Sequence, residues 1–340
     1  MLLQTTQELN KYVTLNSNLT ELPKPLATEL ARLESQLLRP ILGDELLAWL
    51  REQNKTIPNL ADEDSLAGEL LRLVQAPLAR IGTGSVLDEL QVFIDDTGIH
   101  IVSTQTDKTA FNWQVSRLER TLQRKGYLDL NVLLQWLEDN YKSSEELQAW
   151  ATSYAGQRHR YLLITSAPEF SQYVDIQDSW KVFDALRPVL RVQSSFMLTP
   201  VLGVEFLQEL SEQVRTRTVT PENEHLLHTY VRPLLAHLTL AHAVPALGLR
   251  LTGDGIELRI ARIDEDNTKE ADAGLDQLLA ARARDAEQTA RVYLLQLRQH
   301  LNEQASAEKY ATYFASSAYA NPATPRNPVN REGARTYKFI

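Results

Sequence analysis

Four histidines in the second half of this 340-residue chain are the first candidates for chemistry: His225, His228, His237 and His242. His225 and His228 stand at i, i+3 beside Glu222 and Glu224. That spacing can put two imidazoles on one helix face, where they could hold a metal. The pattern is not His-Glu-x-x-His, because no glutamate follows His225, and the first half has no matching cluster. These residues therefore read as surface or part-buried histidines of an amphipathic helix. Arg80-Ile81-Gly82-Thr83-Gly84-Ser85 has the look of a phosphate-cradling loop, but it follows a helix and lacks the Gly-Lys-Ser/Thr ending. It reads as a helix stop and loop. Asp264-Glu265-Asp266-Asn267 lacks the glycine and terminal glutamate of a calcium loop and reads as a solvated turn. There is no cysteine and no Gly-x-Ser-x-Gly, which removes thiolate nucleophiles, thiolate metal sites and the serine elbow. The expectation is no enzyme, with no catalytic, cofactor-binding or metal-ligating residue.

The frame that would position such residues is ordinary in bulk. At 340 residues the chain has room for about two domains. Its 43% hydrophobic and 23% charged content suits a protein with a true core. No apolar run approaches the roughly 18 residues of a membrane helix, and the start does not read as a signal peptide. With no cysteine, synthesis inside the cell is the simpler expectation. The net charge of −9 disfavours a general DNA binder. The five tryptophans, all before residue 181, read as core or interface, and no interleaving of basic and aromatic residues for single-stranded nucleic acid is evident. The last twenty residues differ from the body: Arg326, Arg331, Arg335 and Lys338 face Glu332 alone. They read as an extended basic arm.

The strongest signal is internal. PILGDELLAWLREQ at 40–53 returns as PVLGVEFLQELSEQ at 200–213, with eight identities in fourteen positions and no gap. Upstream, Leu26 and Leu30 match Leu186 and Leu190 at helical spacing. Each copy predicts a helix, a Pro-x-Leu-Gly corner (Pro40 and Gly43; Pro200 and Gly203) and a second helix. A third helix follows, from about Asp62 to Ile81 in one copy and from Thr220-Pro221 in the other, kinked at Pro77 and Pro233. Hairpins are expected at 90–103, turning at Gly98, and at 247–261, turning at Gly253 and Gly255. Long helices close each copy: 108–125 and 128–142, broken at Gly126, then 269–304. The predicted class is mainly α with small β-hairpins, an α+β protein of two tandem copies. The predicted divisions are 1–142, a connector at 143–181, 182–318, and an arm at 319–340.

Several phrases carry a family resemblance: TTQELNKYV, LLRPILGDELLAWL, DDTGIHIV, KTAFNWQVSRLERTLQRKGYLDLNVLLQWLEDN and APEFSQYVDI. They resemble a functionally uncharacterised family encoded in the structural regions of phages and prophages. More distantly, LARLESQLLRPILG is similar to the head–tail adaptor proteins of tailed phages. The resemblance implies a connector or adaptor subunit, made in the bacterial cytoplasm, that assembles with copies of itself into a ring in a virion or phage-like particle. It also implies portal, capsid or tail subunits as partners; the acidic net charge would suit DNA passing through such a ring without specific binding, and no membrane is expected. The alternative is a terminator or baseplate adaptor of a phage-derived contractile injection system. The arm ends Thr336-Tyr337-Lys338-Phe339-Ile340, alternating polar and apolar, and is expected to add as a strand to a neighbour's sheet edge.

Overall fold

Prolines and glycines punctuate the chain at matched places, and in the computed structural model they shape the backbone there. The structure describes residues 1–14, 20–57, 59–90, 92–95, 98–101, 111–247, 249–252, 255–258 and 273–322. In the first unit helix Lys24–Leu33 buries Leu26, Leu30 and Leu33 and runs into a wider π turn, Glu34–Leu38. Helix Arg39–Thr56 follows, with Pro40 in its first turn and Gly43 at φ 75°, ψ 169° inside it. In the second unit helix Trp180–Gln193, capped by the Ser179 hydroxyl, runs into a π turn at Ser194–Leu198. Helix Thr199–Leu202 then stops at Gly203, φ 80°, and Val204–Thr216 begins. A third π turn, Leu227–Val231, lies between helices Pro221–Leu226 and Arg232–Leu247. Each of the three ends two residues before a proline: Pro40, Pro200 and Pro233. A proline has no N–H to give the carbonyl four residues back, and its ring crowds that carbonyl. A widened turn relieves both problems. Pro77 and Pro188 are carried inside α-helices without one.

Several expectations are corrected. The protein is essentially all-α, not α+β. The strands among the described residues are two short isolated ladders, Val92–Asp95 with Gly98–Ile101 and Leu249–Thr252 with Gly255–Leu258. Neither joins a larger sheet, so among the described residues there is no β layer for helices to pack on. There is no break at Gly126: Asn112–Asn140 is one helix of 29 residues. A Cβ at Gly126 would lie 2.5 Å from Ile81 Cγ1 and 3.1 Å from the Ile81 backbone nitrogen, so this glycine lets two helices touch. The supposed loop at Arg80–Ser85 is likewise helical, the end of Leu66–Ser85. Gly82 faces Leu30 and Gly84 faces Gln123. That helix is capped by Ser65, whose hydroxyl accepts the Gly68 N–H. The acidic Asp62-Glu63-Asp64 lies before the cap, and Asp62 ends a short 3-10 turn.

Two cores form. One runs from Leu2 to Ala151, the other from Leu162 to Tyr313. Residues 143–181 are divided between them: Leu147, Trp150 and Ala151 pack in the first core, Leu162 to Ile176 in the second. The second unit thus begins much as the chain itself does. Leu2-Leu3-Gln4-Thr5-Thr6-Gln7-Glu8-Leu9 corresponds to Leu163-Ile164-Thr165-Ser166-Ala167-Pro168-Glu169-Phe170. Thr5 caps helix Thr6–Asn10 and Ser166 caps helix Ala167–Ser171, with Glu8 and Glu169 at the third helical position. Each glutamate reaches back to a backbone N–H just before its cap, on Gln4 at 2.7 Å and on Thr165 at 2.6 Å. The carbonyl of Leu2 accepts from Gln75, and that of Leu163 from Arg232.

Candidate functional site

Where the two units meet, one carboxylate collects two arginines and a histidine. Glu138, near the end of the long helix of the first unit, accepts on Oε1 from His159 Nε2 and Arg217 Nη2, both at 2.7 Å. Its Oε2 accepts from Arg160 Nη1 and Arg217 Nε, both at 2.8 Å. Both oxygens are thereby fully engaged. Burial pushes this carboxyl up, but the hydrogen bonds from His159 and Arg217 and the charge of Arg160 outweigh it and hold it at about 2. Burial lowers Arg160 in turn, against the raising influence of Glu138.

Arg217 is placed by an unusual backbone. It ends helix Val204–Thr216 in the left-handed region, at φ 59°, ψ 34°. A side chain there costs roughly 1 kcal/mol or more. Its guanidinium is 7% exposed and also donates to the carbonyls of Ala151 and Gly156, each at 3.0 Å. It lies over the rings of Tyr141 and Trp150, 5.1 and 5.4 Å from their centroids. Trp150 Nε1 donates to the Ile41 carbonyl at 2.8 Å, so the cluster is tied to the chain just before the Gly43 corner. Arg160 Nε takes the Val214 carbonyl at 2.7 Å, answering a free end of the helix that carries Arg217. Chemically the cluster is a clamp. Its carboxylate has no lone pair left for a substrate, and its cations are spent on it and on backbone oxygens.

The expected corners are special in backbone. Gly43 and Gly203 are the two glycines with positive φ among the described residues, 160 positions apart. Their ψ values, 169° and 157°, put them in a region essentially restricted to glycine. Each is covered by a segment following the long helix of its own unit. A Cβ on Gly43 would meet Ala155 Cβ at 3.1 Å, and one on Gly203 would meet Ser316 Cβ at 3.1 Å. Pro40 and Pro200 lie in the first turn after each π turn. Gly98 and Gly255 open the second strand of each ladder, opposite Asp95 and Thr252.

The histidines do not converge. His228 Nδ1 meets the Tyr173 hydroxyl at 2.7 Å, His225 lies 6.1 Å from His300, and His237 stacks on Tyr293. Glu224 pairs with Arg232, which also meets Glu169 at 2.9 Å. No cluster of three or more metal-ligating side chains occurs among the described residues. Asp264–Asn267 and the arm residues Arg326, Arg331, Arg335, Tyr337, Lys338, Phe339 and Ile340 lie outside the described residues. No helix among those described is long and apolar enough to cross a membrane.

Reading the sequence singled out neither Glu138 nor Arg217. The available signal was the failure of the repeat there: position 298 is arginine where Glu138 stands, and position 57 is isoleucine where Arg217 stands. A duplicated chain that differs at matched positions marks the face used only once. The model of a family of unknown function, DUF6712, matches residues 38–152 and again 198–323, two starts separated by the same 160 positions. No curated protein and no solved structure matches the chain.

Proposed function

The chain belongs to this family of unknown function, whose model it matches twice over more than half its length, and from that premise we propose that it is a structural subunit of a phage or phage-like particle. In this reading it is a head–tail connector or adaptor that closes into a ring with copies of itself. The observation that supports it most is the clamp. Glu138, His159, Arg160 and Arg217 fasten two like units into one body. A ring built by rotation needs a subunit with two different faces held at a fixed angle. A rigid pair of similar units meets that need, whereas two units on a loose tether would not.

The outer faces also carry matched apolar positions. Val132 on helix Asn112–Asn140 and Val292 on helix Ala273–Gln304, 160 residues apart, are 54% and 53% exposed. Among the described residues each two-stranded ladder has no further strand at its edges, and in this reading the arm of a neighbour adds there. Light scattering and negative-stain imaging of the purified protein, alone and mixed with the products of adjacent genes, test the proposal. Closed rings are expected. A species that stays monomeric in every mixture, at concentrations where particle proteins assemble, refutes it.

A further inference from the structure

We propose that one exposed face of helix Asn112–Asn140 binds single-stranded nucleic acid, with Arg117, Arg120 and Arg124 on its phosphates and Trp113 stacked on a base. The four residues follow one another at steps of four, three and four. At 3.6 residues per turn that confines them to an arc of about 60°, and the three arginines span about 10 Å. They line one open groove of about 490 Å³ together with Ser116 and Thr121. Trp113 is 62% exposed, and the three arginines are exposed as well. Among the described residues none of the three pairs with a carboxylate. Arg160, Arg217 and Arg232, by contrast, are each paired with a part-buried glutamate. Arg124 also lines the next groove, about 370 Å³, with Lys125, Tyr127, Lys181 and one carboxylate, Asp178, so cations outnumber anions past the end of the row.

Charge and chemistry select the occupant. In a protein of net charge −9, a row of arginines that no described carboxylate pairs is a local reversal of sign. The guanidinium fork matches phosphate oxygens two at a time. An acidic peptide would satisfy the arginines but would leave Trp113 without a flat partner. Duplex bases are already stacked and offer it none, whereas a single strand presents both backbone charge and free base faces. In linear order the tryptophan and arginines are interrupted by Gln114, Val115, Leu118, Glu119 and Leu122, and only the helix brings the four together. The inference stands apart from the assembly reading above.

Fluorescence anisotropy with a labelled oligothymidylate of about 20 nucleotides tests it. Three neutralised phosphates predict that log K falls against log salt with a slope of about −2 from about 50 mM upward. R117A/R120A/R124A should lose at least about tenfold in affinity and most of the slope, and R117K/R120K/R124K should keep the slope. W113A should keep the slope and lose roughly tenfold in affinity. Circular dichroism melts should be unchanged in all three, since these side chains are exposed. Absence of salt-dependent binding by the native chain, an unaffected arginine-to-alanine variant, equal binding of polyglutamate, or tighter binding of duplex would each overturn the proposal.

Discussion

Replacing Glu138 by glutamine keeps the shape of the side chain and removes its charge. Arg160 and Arg217 then remain in a largely buried site with no anion. Two routes lead to the size of the effect. Holding this carboxyl at about 2 against an ordinary 4.5 corresponds to about 3 kcal/mol of native-state stabilisation. Stranding the partners of a buried ion pair typically costs about 3–5 kcal/mol. The sign with pH follows from the lowered value. The contribution is fully present above the unfolded value of 4.5 and is lost as pH falls through about 2. Urea unfolding followed by circular dichroism at a series of pH values is the assay. Near neutral pH E138Q should lose about 3 kcal/mol, and one transition should separate into two as the units uncouple. The gap from the native chain should close as pH approaches 2. A variant within about 0.5 kcal/mol of the native chain at neutral pH, unfolding in a single step, would show that the cluster does not join the units.

Other outcomes follow from the same geometry. Gly43→Ala and Gly203→Ala should each cost about 1–3 kcal/mol in urea titrations, because both backbones lie where a Cβ is strained. The two effects should add, since the corners belong to separate cores. Gly126→Val should cost about 1–3 kcal/mol by forcing helix Asn112–Asn140 away from Ile81, read as a lowered melting temperature. Arg232→Met should destabilise by about 3–5 kcal/mol, since it strands Glu169 and the Leu163 carbonyl. Deleting residues 323–340 should leave the melting temperature of the isolated chain unchanged and reduce ring yield in negative-stain counts.

Much of the architecture was legible because duplication repeats itself literally. The phrase at 40–53 and 200–213 has eight identities, and helical spacing of leucines carried the match upstream. The opposite holds for the chain start. Residues 2–13 and 163–174 share four identities in twelve positions, Leu, Glu, Tyr and Val, too few to stand out. Their kinship shows in what the side chains do: a hydroxyl cap, a glutamate returning to the backbone, and a leucine carbonyl held by the proline-bearing helix. Capping tolerates Thr or Ser, and a core position tolerates Leu or Phe, so function persists where letters change. Glycine misled twice for a related reason. Gly82 and Gly126 read as breakers on local propensity, yet close contact between helices outweighs a penalty of about 1 kcal/mol.

By itself the amino-acid order determined that the chain is two copies of a helical unit with matched corners, because periodicity and repetition are properties of neighbours in sequence. The fusion of those copies into one body was decided only in three dimensions. Glu138 and Arg217 are 79 positions apart, and their bond depends on a left-handed residue at a helix end and on a carboxylate that the other copy replaces by Arg298. Nothing in the spacing of either residue encodes the partner. The pairing arises when two cores pack and leave buried charges that must find each other.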